Sequence, residues 1–271
     1  MDKSFDLLAA GETLLRLSPP EGERLLRGNA FVKHLGGAEL NVLAGVAQLG
    51  LRTGMISKLP KNDIGAFARN AIRAAKVSDA YIADDGEKDA RLGIYYYEGA
   101  SYPRKPRVVY DRLHSSFRKL CLEDFPEDMY ASARAFHTSG ITLALGKDVR
   151  EATAKMMRRF KEQGALISFD VNFRANLWSG DEAKRCIEEL LPLVDIFFCS
   201  ESTAHLTFRK EGSLEDILRS FAKDYPISVI AATQRTVHSP KRHTFGSVLY
   251  SAKEDRFYTE EPYREIEVED R

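Results

Sequence analysis

Short apolar runs alternate along the chain with segments whose apolar residues return every three or four positions. The runs 7–10, 53–59, 134–139, 165–171, 195–199 and 228–233 are short and largely apolar, and they read as strands. Between them, Ile64, Phe67, Ala68, Ala71, Ile72 and Ala75 share one face of a helix over 63–76, with Asp63 placed to cap it. Val149, Ala152, Met156 and Phe160 do the same over 147–163, and Gly164 is the stop. Ser179 with Glu182, and Ser213 with Asp216, have the spacing of capping boxes ahead of Ala183, Ile187, Leu190 and Leu191, and of Ile217, Leu218 and Phe221. Alternation of strand and helix predicts βαβ units, hence a parallel sheet covered by helices on both faces.

Two segments break the alternation. Residues 12–35 and 90–110 hold short alternating stretches (13–17, 92–97 and 108–110) with turn residues between them and no helical period. They read as antiparallel strands inserted after early core elements. A small sheet projecting from an α/β body serves as a lid, and its exposed apolar face offers a surface for a second copy; a plain extension of the main sheet is the alternative. No internal repeat or low-complexity linker divides the chain, so residues 1–271 read as one α/β domain carrying this lid.

Composition narrows the functional classes. The 271 residues carry 40 basic and 40 acidic side chains, and a formal charge of zero gives no overall attraction for nucleic acid. With 44% apolar, 30% charged and 10% aromatic residues the chain is expected to fold as a soluble globule. The apolar run 5–10 is too short for a signal segment, and no stretch approaches the length of a membrane span. Cys121, Cys186 and Cys199 are odd in number and form no C-x-x-C, which points to reduced thiols and a cytoplasmic setting.

Several familiar chemistries lack their residues. No G-x-G-x-x-G follows a strand. The stretch 140–148 has one residue too many for a phosphate loop, and Asp148 stands where a Ser or Thr would bind magnesium. The six histidines form no zinc spacing, and there is no G-x-S-x-G elbow, so neither a protein-held metal nor a serine nucleophile is expected.

The positive signal is Gly36-Gly37-Ala38-Glu39-Leu40-Asn41 at the start of an apolar helix over 41–49. Paired glycines let a ligand approach the backbone, free N–H groups there bind oxygens, and the Asn41 amide stands ready to hold a hydroxyl. At the carboxyl ends of the expected strands lie Gly11-Glu12, Asn172-Phe173-Arg174, Ser200-Glu201 and Thr233-Gln234-Arg235, the edge at which open α/β sheets take ligands. Arg174 suits a carboxylate or phosphate through its planar fork of donors; pairing with Asp170 or Asp181 is the alternative use of its charge.

These residues carry a resemblance. The stretches 36–42, 58–65 and 169–174, the last reading Phe-Asp-Val-Asn-Phe-Arg, resemble the ribokinase-like (PfkB) sugar kinases, and within them the 2-keto-3-deoxygluconate kinases. The resemblance runs from Phe5 to the last residue. It implies a ribokinase-like three-layer sandwich with a mainly parallel central sheet and a small β-sheet lid. It also implies ATP-dependent phosphorylation of a sugar hydroxyl, with Mg2+ carried by the nucleotide; whether two copies pair as a homodimer through the lid is left open. Gly36, Gly37 and Asn41 would then hold the sugar, Tyr95, Tyr97 and Arg104 would cover a sugar acid, and Arg174 would reach both substrate and transferring phosphate. Asn172, Ser200, Thr233 and Arg235 would line the nucleotide side, Ser200 standing where relatives often carry Asn. Tyr96 is assigned to packing. A fructokinase-like or other sugar kinase, a nucleoside kinase of the same fold, and a non-catalytic sugar-binding or regulatory protein are the rival readings.

The family's glycine-rich turn followed by Asp, which supplies the anion hole and the general base, is expected after a segment like 266–271. It would therefore lie beyond Arg271, since Gly180-Asp181 falls in the wrong element. The expectation is that the C-terminal part of the fold, including the closing helices, is missing, and that the 271-residue polypeptide alone has negligible kinase activity.

Overall fold

Four parallel strands organise the first of two compact units, Met1–Ala165 and Leu166–Arg271, in a computed structural model that describes residues 3–99, 104–239 and 241–268. Residues 100–103 of the second expected lid segment and 269–271 of the terminal segment fall outside the described residues.

In the first unit the elements run β1 (Phe5–Ala10), β2 (Leu14–Ser18), β3 (Val32–Gly36), α1 (Ala38–Gln48), β4 (Thr53–Pro60), α2 (Asp63–Ala74), β5 (Ser78–Asp85), β6 (Gly93–Glu98), β7 (Arg107–Asp111), β8 (Ala133–Ser139), α3 (Gly140–Ala144) and α4 (Lys147–Glu162). Strands β8, β1, β4 and β5 pair in that order, all parallel. Leu40, Leu43, Met55, Leu59 and Ile72 are buried where α1 and α2 cover this sheet. Each such side chain contributes roughly 1.5–3 kcal/mol by leaving water. On α4, Phe160 stacks on Phe136 of β8 with ring centroids 4.5 Å apart.

The helix expected over 63–76 forms, but Asn62 caps it, accepting from the N–H groups of Ile64 and Gly65, both at 3.1 Å. Asp63 is its first residue and favours the positive end of the helix dipole instead. Helix α1 starts at Ala38, three residues before the expected start, so Asn41 sits within its first turn.

The segments that broke the alternation build a separate four-stranded sheet, in the order β3-β2-β6-β7. Its outer pairs are antiparallel as expected, whereas the central pair β2–β6 is parallel. The cause is topological. β2 follows β1 and β6 follows β5, and two parallel strands of one sheet deliver the chain to the same edge in the same direction.

The second unit holds β9 (Leu166–Asp170), α5 (Gly180–Glu188), β10 (Ile196–Phe198), α6 (Glu201–Phe208), α7 (Leu214–Asp224), β11 (Val229–Ser239), β12 (Arg242–Ser251), β13 (Arg256–Thr259) and β14 (Tyr263–Glu267). β9, β10 and β11 are parallel; β12 turns back antiparallel on β11 and carries β13 and β14. Phe197, Phe208 and Phe221 meet edge to face at 5.0–6.3 Å and fill the space under α6 and α7. Ser213 and Asp216 form the expected capping box, and the Ser179 hydroxyl accepts from the Glu182 N–H at 3.1 Å. Among the described residues no helix is long and apolar enough to cross a membrane.

Candidate active site

In the first unit the exit of β1 is fixed by hydrogen bonds from neighbouring strands. The Thr138 hydroxyl donates to the Ala10 carbonyl at 3.0 Å, and Ser57 donates to the Gly11 carbonyl at 2.9 Å. Against Gly11 packs Glu39, which is 1% exposed and accepts from Ser139 Oγ at 2.6 Å and Thr142 Oγ1 at 2.9 Å; a Cβ on Gly11 would collide with its carboxylate. Glu39 therefore ties the Gly36–Gly37 turn to the start of α3. A second buried carboxylate, Glu12 at 4% exposure, accepts from Arg112 Nε at 2.9 Å, from a second Arg112 nitrogen and from the Ser115 hydroxyl.

Above the glycine turn stands one face of the small sheet. Strand pairing aligns His34, Arg16, Tyr95 and Tyr110 in a row across all four strands. A Cβ on Gly36 would lie 2.6 Å from the Tyr95 hydroxyl, so the phenol closes directly over this glycine. The Arg16 guanidinium lies over the Tyr97 ring at 4.6 Å, and Arg112 lies over Tyr110 at 5.5 Å. Tyr96 points to the opposite face, as alternation requires, and meets Phe31 edge-on at 5.8 Å.

Gly36 and Tyr95 thus meet at the sheet face and Tyr97 follows two residues along the same face, while Gly37 packs on the Glu12 carbonyl and Thr13, and the exposed Asn41 lies in the first turn of α1. Arg104 has its guanidinium half exposed and pairs at 3.4 Å with the buried Glu98, which also accepts from the Leu25 N–H at 2.8 Å.

In the second unit, a cavity of about 260 Å³ opens at the carboxyl ends of β9 and β10 and beside β11. Asp170, Asn172, Arg174, Ser200, Thr203 and Thr233 are among its lining residues. Asn172 adopts a left-handed conformation, φ +37°, and donates its N–H to Asp170 Oδ1 at 2.9 Å. Burial raises the Asp170 carboxyl, and that N–H together with the charge of Arg174 counters the rise. Asp181, the other partner considered for Arg174, is paired with Arg209 at 2.9 Å. Ser200 caps α6, accepting from the Thr203 N–H at 3.2 Å and donating to the Thr203 hydroxyl at 2.9 Å.

Thr233 and Arg235 do not mark a strand end, because β11 continues to Ser239 as one arm of the hairpin with β12. Thr233 lines the cavity; Arg235 lies two residues on and hydrogen-bonds to the His243 ring at 3.0 Å. A larger and more open cavity of about 520 Å³ lies by Ser4, Arg52 and Ser78, at the amino ends of β1, β4 and β5, the edge away from which ligands bind in such sheets.

The pfkB family carbohydrate kinase model matches residues 4–233. This chain belongs to the pfkB carbohydrate kinase family. The 2-dehydro-3-deoxygalactonokinase of Haloferax volcanii is 33% identical over 245 residues, spanning 90% of this chain and 76% of the relative. The 2-dehydro-3-deoxygluconokinase of Bacillus subtilis is 31% identical over 199 residues, 72% of this chain, which spans only 60% of that relative's length. Among solved structures, a 2-dehydro-3-deoxygluconokinase from Thermotoga maritima superposes with a TM-score of 0.91 at 32% identity, covering 98% of this chain and 82% of its own.

Membership in the pfkB family makes this a carbohydrate kinase chain with a ribokinase-like fold: a mainly parallel sheet flanked by helices, with a separate small sheet. What the sequence reading missed in this pfkB chain are the buried partners. Arg112, Ser115, Ser139 and Thr142 lie about 100 residues from the carboxylates they serve. The available signal was Glu12 and Glu39, acidic residues placed in otherwise apolar surroundings.

Proposed function

We propose that this pfkB-family protein binds a sugar acid of the 2-keto-3-deoxygluconate type at the Gly36–Gly37 turn and takes ATP at the Asp170–Thr233 cavity, for phosphoryl transfer to a sugar hydroxyl. The observation that supports it most is the sheet face above the turn, where the Tyr95 hydroxyl closes over Gly36 and the guanidinium of Arg16 lies over the Tyr97 ring. Phenols and a planar cation suit a polyhydroxy anion. The names of the two curated relatives point the same way. In this reading Gly36, Gly37 and Asn41 meet the hydroxyls, Tyr95 and Tyr97 cover the ring, and Arg104, beside Glu98, adds positive charge.

The second cavity is smaller than the roughly 300–1,000 Å³ that encloses a whole drug-sized ligand. Its hydroxyls and its arginine fit the phosphate end of a nucleotide. ATP supplies the phosphoryl group and, with it, Mg2+. Asn172, Ser200 and Thr233 orient the phosphates by hydrogen bonds, Arg174 stabilises their charge, and Arg235 stands on the same face of β11. A cytoplasmic location and a homodimer formed through the small sheet complete the reading. They are supported by the three free cysteines and by the exposed Val108, Val109 and Tyr110 of β7.

Binding of each ligand is the readout that tests the two ends of the site separately. Calorimetry on the 271-residue polypeptide is expected to show 2-keto-3-deoxygluconate binding, and separate binding of a non-hydrolysable ATP analogue with magnesium. Arg174→Ala should weaken the analogue by about tenfold or more, the worth of a hydrogen bond to a charged group. Fructose binding as tightly as the acid would move the reading to a neutral-sugar kinase. Sugar binding without nucleotide binding would make it a non-catalytic sugar-binding protein.

A further inference from the structure

Glu12 meets four stretches of the chain at once, all within the first unit. It follows Gly11 at the exit of β1, and its carboxylate takes donors from Arg112 and Ser115 just past the end of β7. A Cβ on Gly93, the first residue of β6, would stand 3.1 Å from Glu12 Oε1, and one on Gly37 would stand 2.9 Å from the Glu12 carbonyl oxygen. The start of β6 and the end of β7 therefore meet at one buried carboxylate, and the turn after β3 packs on the carbonyl of the same residue. From there contacts run outward: Arg112 lies over Tyr110, Tyr110 packs on Tyr95 with centroids 5.9 Å apart, and the Tyr95 hydroxyl closes over Gly36.

We propose that Glu12 is a positioning residue: its carboxylate fixes how the small sheet stands over the Gly36–Gly37 turn and, through Arg112, sets the tyrosine row that meets the sugar. The inference rests on the reading of that turn as the sugar end of the site. A carboxylate suits the task because it accepts bonds from several directions and neutralises a guanidinium that is itself buried. Glutamine in its place keeps an oxygen for Arg112 and an N–H2 for the Ser115 hydroxyl, which can accept it, but removes the negative charge and leaves the buried cation uncompensated.

Two variants separate positioning from mere stability. Glu12→Gln keeps the shape, and Glu12→Met with Arg112→Met removes both charges, so that no unpaired ion is left to unfold the protein. Amide hydrogen exchange, which needs no ligand, is read over 93–98 and 107–111 against β1 and β4. In both variants the small sheet should exchange at least roughly tenfold faster while β1 and β4 keep their wild-type rates, the signature of local rather than global opening. In the same variants the dissociation constant for the sugar acid should rise at least about tenfold, and Glu12→Asp should restore part of the affinity. Unchanged exchange in the small sheet, or wild-type affinity in the double variant, would overturn the proposal. If the wild-type polypeptide binds no sugar acid, the functional reading fails, and the exchange rates still decide the role of Glu12.

Discussion

At Asp170, burial raises the carboxyl, and the Asn172 N–H and the charge of Arg174 only partly oppose it. A folded-state pKa above the unfolded value, about 3.9 for Asp, means that ionised Asp170 weakens the fold. The penalty is absent below the unfolded pKa and complete once pH has risen through the folded one. Asp170→Asn keeps an acceptor for the Asn172 N–H and removes the charge. Its urea midpoint should exceed wild type at pH 7, and the advantage should vanish as pH falls below about 4; a constant gain at every pH would show that charge is not the cause. Glu39 contrasts with Asp170: it is deeply buried yet receives two hydroxyl bonds. Asp170 keeps its strain at the edge of a cavity, where an incoming cationic or phosphate-bearing group would change its surroundings.

Among the elements, helix α2 shows how closely a sequence feature and a packing contact can be joined. Its Asn62 cap satisfies two N–H groups, and three residues on, Gly65 lies so close to strand β4 that a Cβ would collide with the Pro60 carbonyl oxygen. Gly45 in α1 has nothing within 4 Å of its Cβ position. Gly65→Ala should therefore destabilise by about 1–3 kcal/mol or more, as overpacking does. Gly45→Ala should stabilise by roughly 0.5–1 kcal/mol. Thermal melts of the two variants should move in opposite directions; a shared direction would mean that helix propensity, not contact, governs both. The elements that escaped the sequence reading are instructive too. Strand β5, reading Ser-Asp-Ala-Tyr-Ile-Ala-Asp-Asp, carries too many acids for an apolar run, and β13 and β14 are largely exposed. A strand that buries little leaves no period to read.

For the molecule as a whole, zero net charge means that association is decided by local surfaces. The small sheet exposes Val108, Val109 and Tyr110 on its edge strand β7, and Phe31 and Val32 at its other edge. If it joins two copies, Val109→Lys should shift sedimentation from dimer to monomer and leave the melting temperature within a few degrees, as surface changes do. A monomeric wild type would remove the dimer from the proposed function.

The sequence by itself determined the fold class, most core elements, the glycine turn and the strand-end residues Asn172, Arg174 and Ser200. These are written in local signals: apolar period, caps, glycine pairs and strand ends. Only the tertiary structure decided that Arg104 answers to Glu98, that β2 and β6 run parallel, that Thr233 sits within a long hairpin, and that Glu12 and Glu39 find their partners about 100 residues away. The physical reason is that a buried carboxylate must be satisfied by whichever donors the folded chain brings to it, and no local pattern records which ones those are.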